Sequence, residues 1–242
     1  MNNFTQLIAT LKRHYGKPTP PPATTPFEHI LWENACYLLP DTRRLEVFNT
    51  LRDTVGLTPT AIAAASDEVL LPIATRGGMR PETRVFRWRE IARITQTQFA
   101  GNLDSVLKLP YAQAKKALKQ FPNIGDPGAE KILLFCGLAD GLPLESNGLR
   151  VLTRVGWGRP QKDYGATYRS VQQALAPDLP SAPKQLADAH LLLRQHGKTL
   201  CKEKSPLCPQ CPAAPQCHYA ITLATKFPGA LTPTQSSPAA SK

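Results

Sequence analysis

Four cysteines lie within one short stretch of the chain, with six, two and five residues between successive members: Cys201, Cys208, Cys211 and Cys217. Between the first and the last cysteine there are four prolines and only one leucine, so this loop cannot fold by burying apolar side chains. Four thiolates can hold one metal centre, either an iron–sulfur cluster or a zinc ion, and such a centre would tie the loop down. Disulfides are the alternative, but we favour metal because nothing else in the chain is typical of a secreted protein.

The chain of 242 residues is strongly basic, with 29 Lys and Arg against 18 Asp and Glu and a formal net charge of +11. This balance favours a polyanionic partner, nucleic acid first of all, although composition alone leaves a merely basic soluble protein open. No apolar run is long enough to predict a membrane span, and the amino terminus lacks the pattern of a signal peptide. We therefore expect a cytoplasmic protein with reduced cysteines, in which Cys36 and Cys136 belong to the core.

The spacing of apolar residues predicts helices along most of the chain. Helical spacing occurs over residues 4–15, 27–39, 43–55 and 83–95, with shorter helical segments over 58–65, 66–74 and 103–120. No convincing alternating strand occurs, so the predicted fold class is all-α, with many short helices joined by short loops. After about Leu223 the chain is rich in Pro and Ser, and we expect disorder there.

A candidate phosphate-binding element lies between Phe121 and Ile132, where the sequence reads F-P-N-I-G-D-P-G-A-E-K-I. A basic helix precedes a turn containing Gly125, and a new helix is predicted to start near Pro127 with Asp126 as its cap. A helix–hairpin–helix of this kind presents backbone N–H groups that bind a nucleic-acid phosphate without reading sequence. An ordinary helical corner is the alternative. Four nearby lysines favour DNA binding: Lys115, Lys116, Lys119 and Lys131.

Three landmarks together resemble one known family. The hairpin, the segment L-E-S-N-G-L-R-V-L-T-R-V from Leu144 to Val155, and the cysteine spacing resemble the endonuclease III branch of the helix–hairpin–helix DNA glycosylase superfamily. The likeness covers roughly residues 27–219, and its landmarks follow the family's order. The cysteine spacing is the most specific of the three. The resemblance implies a [4Fe–4S] cluster on the four cysteines, which we therefore expect in preference to zinc.

The resemblance also implies a two-lobed all-α fold. One lobe would be a six-helix barrel over residues 27–139 that contains the helix–hairpin–helix at about 112–136. The other lobe would combine residues 1–26 with 140–222 and carry the cluster loop, while residues 223–242 would form a disordered tail. Double-stranded DNA would lie in the cleft between the lobes, with the target base flipped out of its stack. We expect a monomer in a bacterial-type cytosol, associated with the nucleoid and not with a membrane.

The residues that would perform the chemistry depart from the family's pattern. Family members use an aspartate, in a motif close to V-D-x-H/N-x-x-R-V, to stabilise positive charge on the sugar as the base leaves. The matching residue here is Glu145, one methylene longer. Asn147 and Arg150 match the other positions of the motif, and we expect both to contact DNA. A displacement of about 1 Å can cost orders of magnitude in rate. Bifunctional members carry a nucleophilic lysine where this chain has Pro127, so the resemblance implies no lyase reaction through that position.

The remaining expected DNA contacts follow from the same correspondence. In the hairpin they are Asn123, Ile124, Gly125, Gly128 and Lys131. Asn123 replaces a family glycine, which a left-handed backbone tolerates. In the family two loops fill the gap left by the flipped base. Here Leu38 stands in one of them, in place of a glutamine, and Met79 stands in the other, flanked by Arg76 and Arg80. Leu38 could plug the stack or pack in the core, and the two arginines could bind phosphates or face solvent.

Two classes of function remain after these departures. The sequence predicts a monofunctional DNA N-glycosylase with Glu145 as its essential carboxylate. The alternative is a catalytically silent, DNA-binding iron–sulfur protein of the same fold that senses a lesion or a DNA structure. An unrelated zinc-binding helical module agrees less well with the three landmarks.

Overall fold

A computed structural model describes residues 3–227, and within them the chain forms helices and loops without a strand, which confirms the predicted all-α class. Twelve α-helices lie in this part of the chain: α1 Phe4–Tyr15, α2 Pro26–Glu33, α3 Asp41–Thr54, α4 Pro59–Ala64, α5 Asp67–Arg76, α6 Pro81–Gln98, α7 Tyr111–Leu118, α8 Asp126–Phe135, α9 Ser146–Val155, α10 Tyr164–Leu175, α11 Pro183–Thr199 and α12 His218–Lys226. Short 3₁₀ turns connect some of them. None of these helices has the length and apolar character needed to cross a bilayer.

The chain divides into two compact units. Pro20–Pro143 forms a central unit, and the described residues before and after it form a terminal unit. The central unit therefore extends beyond the predicted lobe 27–139 at both of its ends. Within it, α6 packs against α2, α4 and α5, because Trp88, Ile91 and Ala92 are fully buried along one face of α6. Cys36 is buried and Cys136 packs against the same core.

Helix α2 is shorter than predicted, because it ends at Glu33 and not at residue 39. The side-chain amide of Asn34 donates to the Ile30 carbonyl (3.0 Å) and to the Pro122 carbonyl (3.1 Å), which draws the chain away from the helix axis. The loop that follows includes Leu38 in a left-handed conformation, with φ 55°. The apolar run after Glu33 is thus partly an exposed loop and not a continuation of the helix.

The terminal unit is organised around α11, which packs against both α1 and α9. Helix α1 has the predicted bounds and buries Leu7 and Leu11 completely, and Gly16 ends it with φ 80°. At Gly197 a Cβ atom would lie 2.6 Å from Asn147 Cβ, so only glycine permits the close approach of α11 to α9. Helix α12 continues to Lys226, past the predicted start of a disordered tail at residue 223. Residues 228–242 of that predicted tail lie outside the described residues.

Candidate functional site

Glu145 is the N-cap residue of α9, and both of its carboxylate oxygens accept hydrogen bonds. Oε1 accepts from the backbone N–H of Gly148 at 2.7 Å, and Oε2 accepts from the side-chain amide of Asn147 at 2.6 Å. The side chain is partly exposed. A carboxylate at the amino end of a helix lies in the favourable field of the helix dipole. The two donors give this carboxylate one defined orientation, although glutamate is longer than the aspartate that the family uses.

A chain of hydrogen bonds connects this carboxylate to the cysteine loop. Asn147, which donates to Glu145, accepts through Oδ1 from Arg150 Nη2 at 2.7 Å. The same guanidinium donates from Nη2 to the carbonyl of Gly197 at 2.9 Å and from Nε to the carbonyl of Cys201 at 2.9 Å. The structure therefore brings together Glu145, Asn147 and Arg150, and it links all three to the first cysteine of the loop.

The four cysteines of the loop line one cavity in the terminal unit. Its other walls are largely apolar and include Val151, Val155, Leu200, Ala213 and Ala220. All four cysteines are free thiols, so the alternative of disulfides is not what the structure shows. Burial raises the pKa of Cys211 to about 11, with the other three cysteines adding to the shift. Burial also raises the pKa of Cys208 and Cys217.

Two basic side chains contact the sulfur atoms. Arg154 Nη1 lies 3.5 Å from Cys201 Sγ, and the guanidinium also donates to the carbonyls of Lys202 (2.6 Å) and Glu203 (2.9 Å). His196 Nε2 lies 3.5 Å from Cys211 Sγ, and its Nδ1 lies 2.9 Å from the hydroxyl of Tyr15. Burial lowers the pKa of His196 to about 4. Arg154 donates towards Cys201, and His196 would donate to Cys211 in the tautomer that carries the proton on Nε2.

No group of three or more His, Cys, Asp or Glu side chains within residues 3–227 is arranged to hold a single metal ion. The thiols share one cavity without forming such a group. Metal binding by the four cysteines therefore stays a prediction.

The hairpin connects α7 to α8 through residues 119–125. Asn123 has φ 65°, the left-handed conformation expected where the family has glycine. The predicted cap is wrong: Gly125 is the N-cap of α8, and Asp126 is already inside the helix. The first N–H groups of a helix have no carbonyl partner within it, and Pro127 has no N–H, which leaves the amides of Asp126 and Gly128 facing out of the helix end. The side-chain amide of Asn34 donates a hydrogen bond to the Pro122 carbonyl and so supports the hairpin.

The lysines around the hairpin are mostly engaged in ion pairs. Lys119 Nζ lies 2.8 Å from a carboxylate oxygen of Asp126, and Lys115 Nζ lies 3.2 Å from the other and 2.6 Å from Glu130. The Lys119 hydrogen bond, supported by Lys115, holds the pKa of Asp126 below its ordinary value. Lys131, which we predicted as a DNA contact, lies 2.6 Å from Glu33 and is part-buried. Much of the positive charge near the hairpin is thus locally compensated.

Two adjacent loops of the central unit expose the apolar side chains singled out in the sequence. Leu38 is 80% exposed and Met79 is 69% exposed. Of the two alternatives for Leu38, core packing is therefore wrong and the exposed loop position is what the structure shows. The backbone N–H of Tyr37 donates to the Gly77 carbonyl at 3.3 Å, which joins the two loops.

The two arginines beside Met79 differ in their surroundings. Arg76 Nη1 lies 3.4 Å from a carboxylate oxygen of Glu46, at an exposed position. Arg80 is exposed and forms the N-cap of α6 in a left-handed conformation with φ 59°. Arg80 therefore remains available to a phosphate, whereas Arg76 would first have to leave a carboxylate.

Sequence reasoning missed three residues that support these elements. Arg154 follows Arg150 by one helical turn, and this spacing on α9 could have indicated that both reach the cysteine loop. His196 precedes the first cysteine by five residues, but only the structure shows that its ring nitrogens contact Tyr15 and Cys211. Arg84 lies on α6 and is almost fully buried, which nothing in its local sequence predicts.

Comparison with curated proteins gives relatives of low identity and substantial coverage. Endonuclease III of Sulfolobus acidocaldarius is 25% identical over 181 residues, which are 74% of this chain and 75% of the relative. A thymine-DNA glycosylase of Aeropyrum pernix is 24% identical over 162 residues, which are 66% of this chain and 68% of that protein. No family model matches the chain.

Comparison with solved structures gives the same fold. A non-covalent endonuclease III–DNA complex aligns with a TM-score of 0.71 at 17% identity, covering 93% of this chain and 100% of the other. The structure of a thermostable thymine-DNA glycosylase aligns with a TM-score of 0.71 at 14% identity, covering 90% and 97%. Fold and hairpin define an all-α helix–hairpin–helix protein. The chain is therefore similar in sequence to proteins named endonuclease III and thymine-DNA glycosylase, and it has the endonuclease III-like fold.

Proposed function

We propose that the chain is a base-excision DNA glycosylase that binds double-stranded DNA as a monomer and releases one damaged or mismatched base. Two sequence relatives carry the names endonuclease III and thymine-DNA glycosylase, and both names describe enzymes that act on DNA. The finer proposal is a monofunctional reaction, in which the base is removed and the DNA strand is not cut. The observation that carries base release is the Glu145 carboxylate, which two donors hold at the amino end of α9. Pro127 in α8 supports the restriction to a monofunctional reaction.

In this reaction the bond between the sugar carbon C1′ and the base breaks, and the departing base takes the electron pair. Positive charge develops on the sugar, and the Glu145 carboxylate stabilises it electrostatically. Water then forms the new bond to C1′, and its proton passes to the released base, which leaves an abasic site and a neutral free base. Because the carboxylate is already oriented by Gly148 N–H and Asn147, little reorganisation is needed as charge develops.

Strand cleavage through a covalent intermediate would need an amine at the hairpin position that Pro127 occupies. Proline offers no nucleophile, and Pro127 is built into the first turn of α8. Borohydride reduction during the reaction should therefore trap no protein–DNA adduct. A trapped adduct would overturn the monofunctional assignment while leaving the glycosylase assignment intact.

Three elements of the central unit would hold the DNA. The amides of Asp126 and Gly128 would bind one backbone phosphate at the start of α8, with Asn123 and Ile124 shaping the turn. Exposed Leu38 and Met79 would fill the gap that the flipped base leaves in the stack. The exposed guanidinium of Arg80 would contact a phosphate nearby.

The four cysteines would hold a [4Fe–4S] cluster. Each iron of the cluster binds one thiolate, so the four sulfur atoms lie further apart than they would around a single metal ion. The shared apolar cavity and the donors from Arg154 and His196 agree with this donor set. When bound, the cluster would staple a proline-rich loop that has little apolar surface of its own. Iron and sulfide analysis with absorbance near 400 nm tests it, and a colourless protein with one zinc would refute it.

The decisive experiment compares wild-type protein with Glu145→Gln on duplexes that carry uracil, mismatched thymine, mismatched adenine or an oxidised base. Alkali then cleaves any abasic site formed. We expect base release from at least one duplex, slowed by about a hundredfold or more in Glu145→Gln. Glu203→Gln is the matched control, since it removes one exposed carboxylate of the same unit. If no duplex loses a base, the catalytically silent alternative is favoured. If Glu145→Gln releases base at the wild-type rate, the protein is a glycosylase and the role assigned to Glu145 is wrong.

A further inference from the structure

Arg84 is a buried arginine of α6 whose guanidinium holds the loop between α5 and α6. Arg84 is only 5% exposed to solvent. Nη1 donates to the Ala74 carbonyl at 2.6 Å and approaches the Gly78 carbonyl at 3.3 Å. Nη2 donates to the Gly77 carbonyl at 2.7 Å and approaches the Met79 carbonyl at 3.3 Å. One fork of donors thus serves every carbonyl from Gly77 to Met79, as well as the end of α5.

This arrangement exploits what only an arginine offers. The guanidinium is planar and carries five donors in a fixed geometry, so it can serve several carbonyls at once. The last carbonyls of a helix have no partner within it and carry partial negative charge, which favours a cation at the end of α5. Burial lowers the pKa of Arg84. Four carbonyl acceptors offset the cost of placing this charge in the interior.

Gly77 connects the clamp to a second loop. Its carbonyl accepts from Arg84 Nη2 and also from the backbone N–H of Tyr37, at 3.3 Å. A Cβ atom at Gly77 would lie 2.3 Å from the Ala35 carbonyl oxygen and 2.8 Å from Arg84 Cζ. The loop with Met79 and the loop with Leu38 are therefore packed backbone against backbone, with Arg84 fixing their shared carbonyl.

Both loops need such support, because their backbones are held in uncommon conformations. Leu38 has φ 55°, Gly78 has φ 95° and Arg80 has φ 59°. A left-handed backbone costs energy in a residue other than glycine and persists only where the surroundings impose it. Leu38 and Met79 gain little from their own packing, since they are 80% and 69% exposed. Their placement has to come from the buried side of the loops.

We propose that Arg84 is the positioning residue that sets Leu38 and Met79 as one two-part apolar wedge for duplex DNA. It acts through the backbone of residues 74–79 and does not contact DNA. The use of the wedge on DNA rests on the proposed function, whereas the control of loop geometry by Arg84 does not. The two parts are therefore measured separately.

The first measurement is hydrogen exchange of three backbone amides. The amide of Tyr37 donates to Gly77 and bridges the two loops, whereas the amides of Gly77 and Gly78 donate to the Ala74 and Thr75 carbonyls at the end of α5. Arg84→Lys keeps the charge and gives up most of the fork. We expect these amides to exchange roughly tenfold faster in this variant, since hydrogen bonds from a charged donor are lost beneath them. Every variant is measured at the same interval below its own Tm, which removes the effect of overall stability.

Arg89→Lys is the matched control. Arg89 lies on the same helix, donates to the Ala65 carbonyl at 3.0 Å and pairs with Asp67 at 2.7 Å, so it also supports a backbone segment. It does not contact the loops with Leu38 and Met79. We expect Arg89→Lys to leave the exchange of the three amides within about twofold of the wild type, because local openings far from a site leave its protection unchanged.

The second measurement uses a duplex with a tetrahydrofuran abasic analogue opposite 2-aminopurine, and an intact duplex for comparison. Wild-type protein should prefer the gapped duplex and change the 2-aminopurine fluorescence as the wedge enters the stack. In Arg84→Lys we expect this preference to fall about tenfold, with affinity for the intact duplex within about twofold. Met79→Ala should lose the preference as well, while the amides of Tyr37, Gly77 and Gly78 exchange as in the wild type.

The outcomes separate the two ideas. Wild-type exchange rates at Tyr37, Gly77 and Gly78 in Arg84→Lys would overturn the role of Arg84 in loop geometry. An undiminished preference for the gapped duplex in Arg84→Lys, beside a lost preference in Met79→Ala, would overturn its role in the wedge. If the wild type itself shows no preference for the gapped duplex, the proposed DNA contacts of Leu38 and Met79 fail, and the exchange data still decide whether Arg84 holds the loops.

Discussion

Replacement of Arg150 tests whether the cysteine loop and the Glu145 carboxylate form one connected structure. The Arg150 guanidinium makes three hydrogen bonds, to Asn147 Oδ1, to the Gly197 carbonyl and to the Cys201 carbonyl, at 2.7 to 2.9 Å. Arg150→Met removes all three and keeps the apolar stem of the side chain. Arg150→Lys keeps the charge and can retain about one of the three, because a lysine has no fork.

The expected loss of stability follows from these bonds. Each contributes about 1 kcal/mol net, so Arg150→Met should lose about 3 kcal/mol and Arg150→Lys about 2 kcal/mol. For a domain of this size 1 kcal/mol corresponds to about 2–4 °C in Tm, which predicts shifts of about 6–12 °C and about 4–8 °C. Loss of Arg150 also frees Asn147, and with it one donor to Glu145. We expect kcat for base release to fall about tenfold, with little change in KM, since a single orienting hydrogen bond is lost.

Thermal unfolding, iron content and single-turnover base release measure these effects. Arg159→Met is the control, because Arg159 is an exposed arginine of the same unit and its removal deletes the same charge. The reasoning predicts a control within about 2 °C of the wild type, as for surface substitutions generally. It is refuted if Arg150→Met unfolds at the wild-type temperature and releases base at the wild-type rate, since the hydrogen bonds would then support neither the fold nor the carboxylate.

Three further predictions concern the metal, the pH dependence and one tight turn. If the proposed cluster is bound, its removal with a chelator under oxidising conditions should lower Tm and expose the cysteine loop to protease. An unchanged digest would show that no metal holds the loop in place. Burial lowers the pKa of His29 from 6.5 to about 4. Between these two pH values His29 takes up a proton only in the unfolded chain. The free energy of unfolding should therefore fall by about 1.4 kcal/mol per pH unit as the pH drops through this range. His29→Phe, which keeps a ring against Phe135, should flatten this slope in pH-dependent denaturation, and an unchanged slope would contradict the assignment. Gly77→Ala should lower the free energy of unfolding by about 1–3 kcal/mol, because its Cβ would meet the Ala35 carbonyl. Gly128→Ala is the control, since a Cβ there has no neighbour nearer than 3.6 Å and should not lower Tm. Equal Tm values for the two variants would argue against the close packing at Gly77.

Helix positions could be predicted from the sequence where an amphipathic pattern meets a clear stop. The predicted helix over residues 4–15 matches α1, because its apolar spacing is regular and Gly16 ends it with a positive φ. The predicted helix over 27–39 ran too far. What ends α2 at Glu33 is the amide of Asn34, which bonds to Pro122, 88 residues away. A contact between such distant residues cannot be predicted from the local sequence. The apolar composition of the loop also predicted burial, whereas Leu38 in this loop is exposed.

The candidate site shows the same division between local and long-range information. The cysteine spacing is local, and the structure does gather all four thiols around one cavity. The partners of the hairpin lysines are not local. Lys131 is paired with Glu33 from α2, and Lys115 is paired with Glu130 from α8. The sequence suggested free cations at these positions, whereas in the fold carboxylates neutralise their charge. Arg84 is the clearest omission, since its four acceptors are backbone carbonyls that no residue type reveals.

These ion pairs change how the proposed DNA contact at the hairpin has to work. A lysine that already neutralises a carboxylate releases few counterions when a phosphate arrives, so it adds little to salt-dependent affinity. Asp126 lies within the first turn of α8 and engages both Lys119 and Lys115, which leaves the turn close to neutral. A phosphate at this turn would therefore be held mainly by the directed backbone N–H groups. In the proposed complex, the excess charge of +11 would act through other exposed cations, such as Lys116 on α7 and Arg80. Geometry at the hairpin and charge around it would thus make separate contributions to holding the duplex.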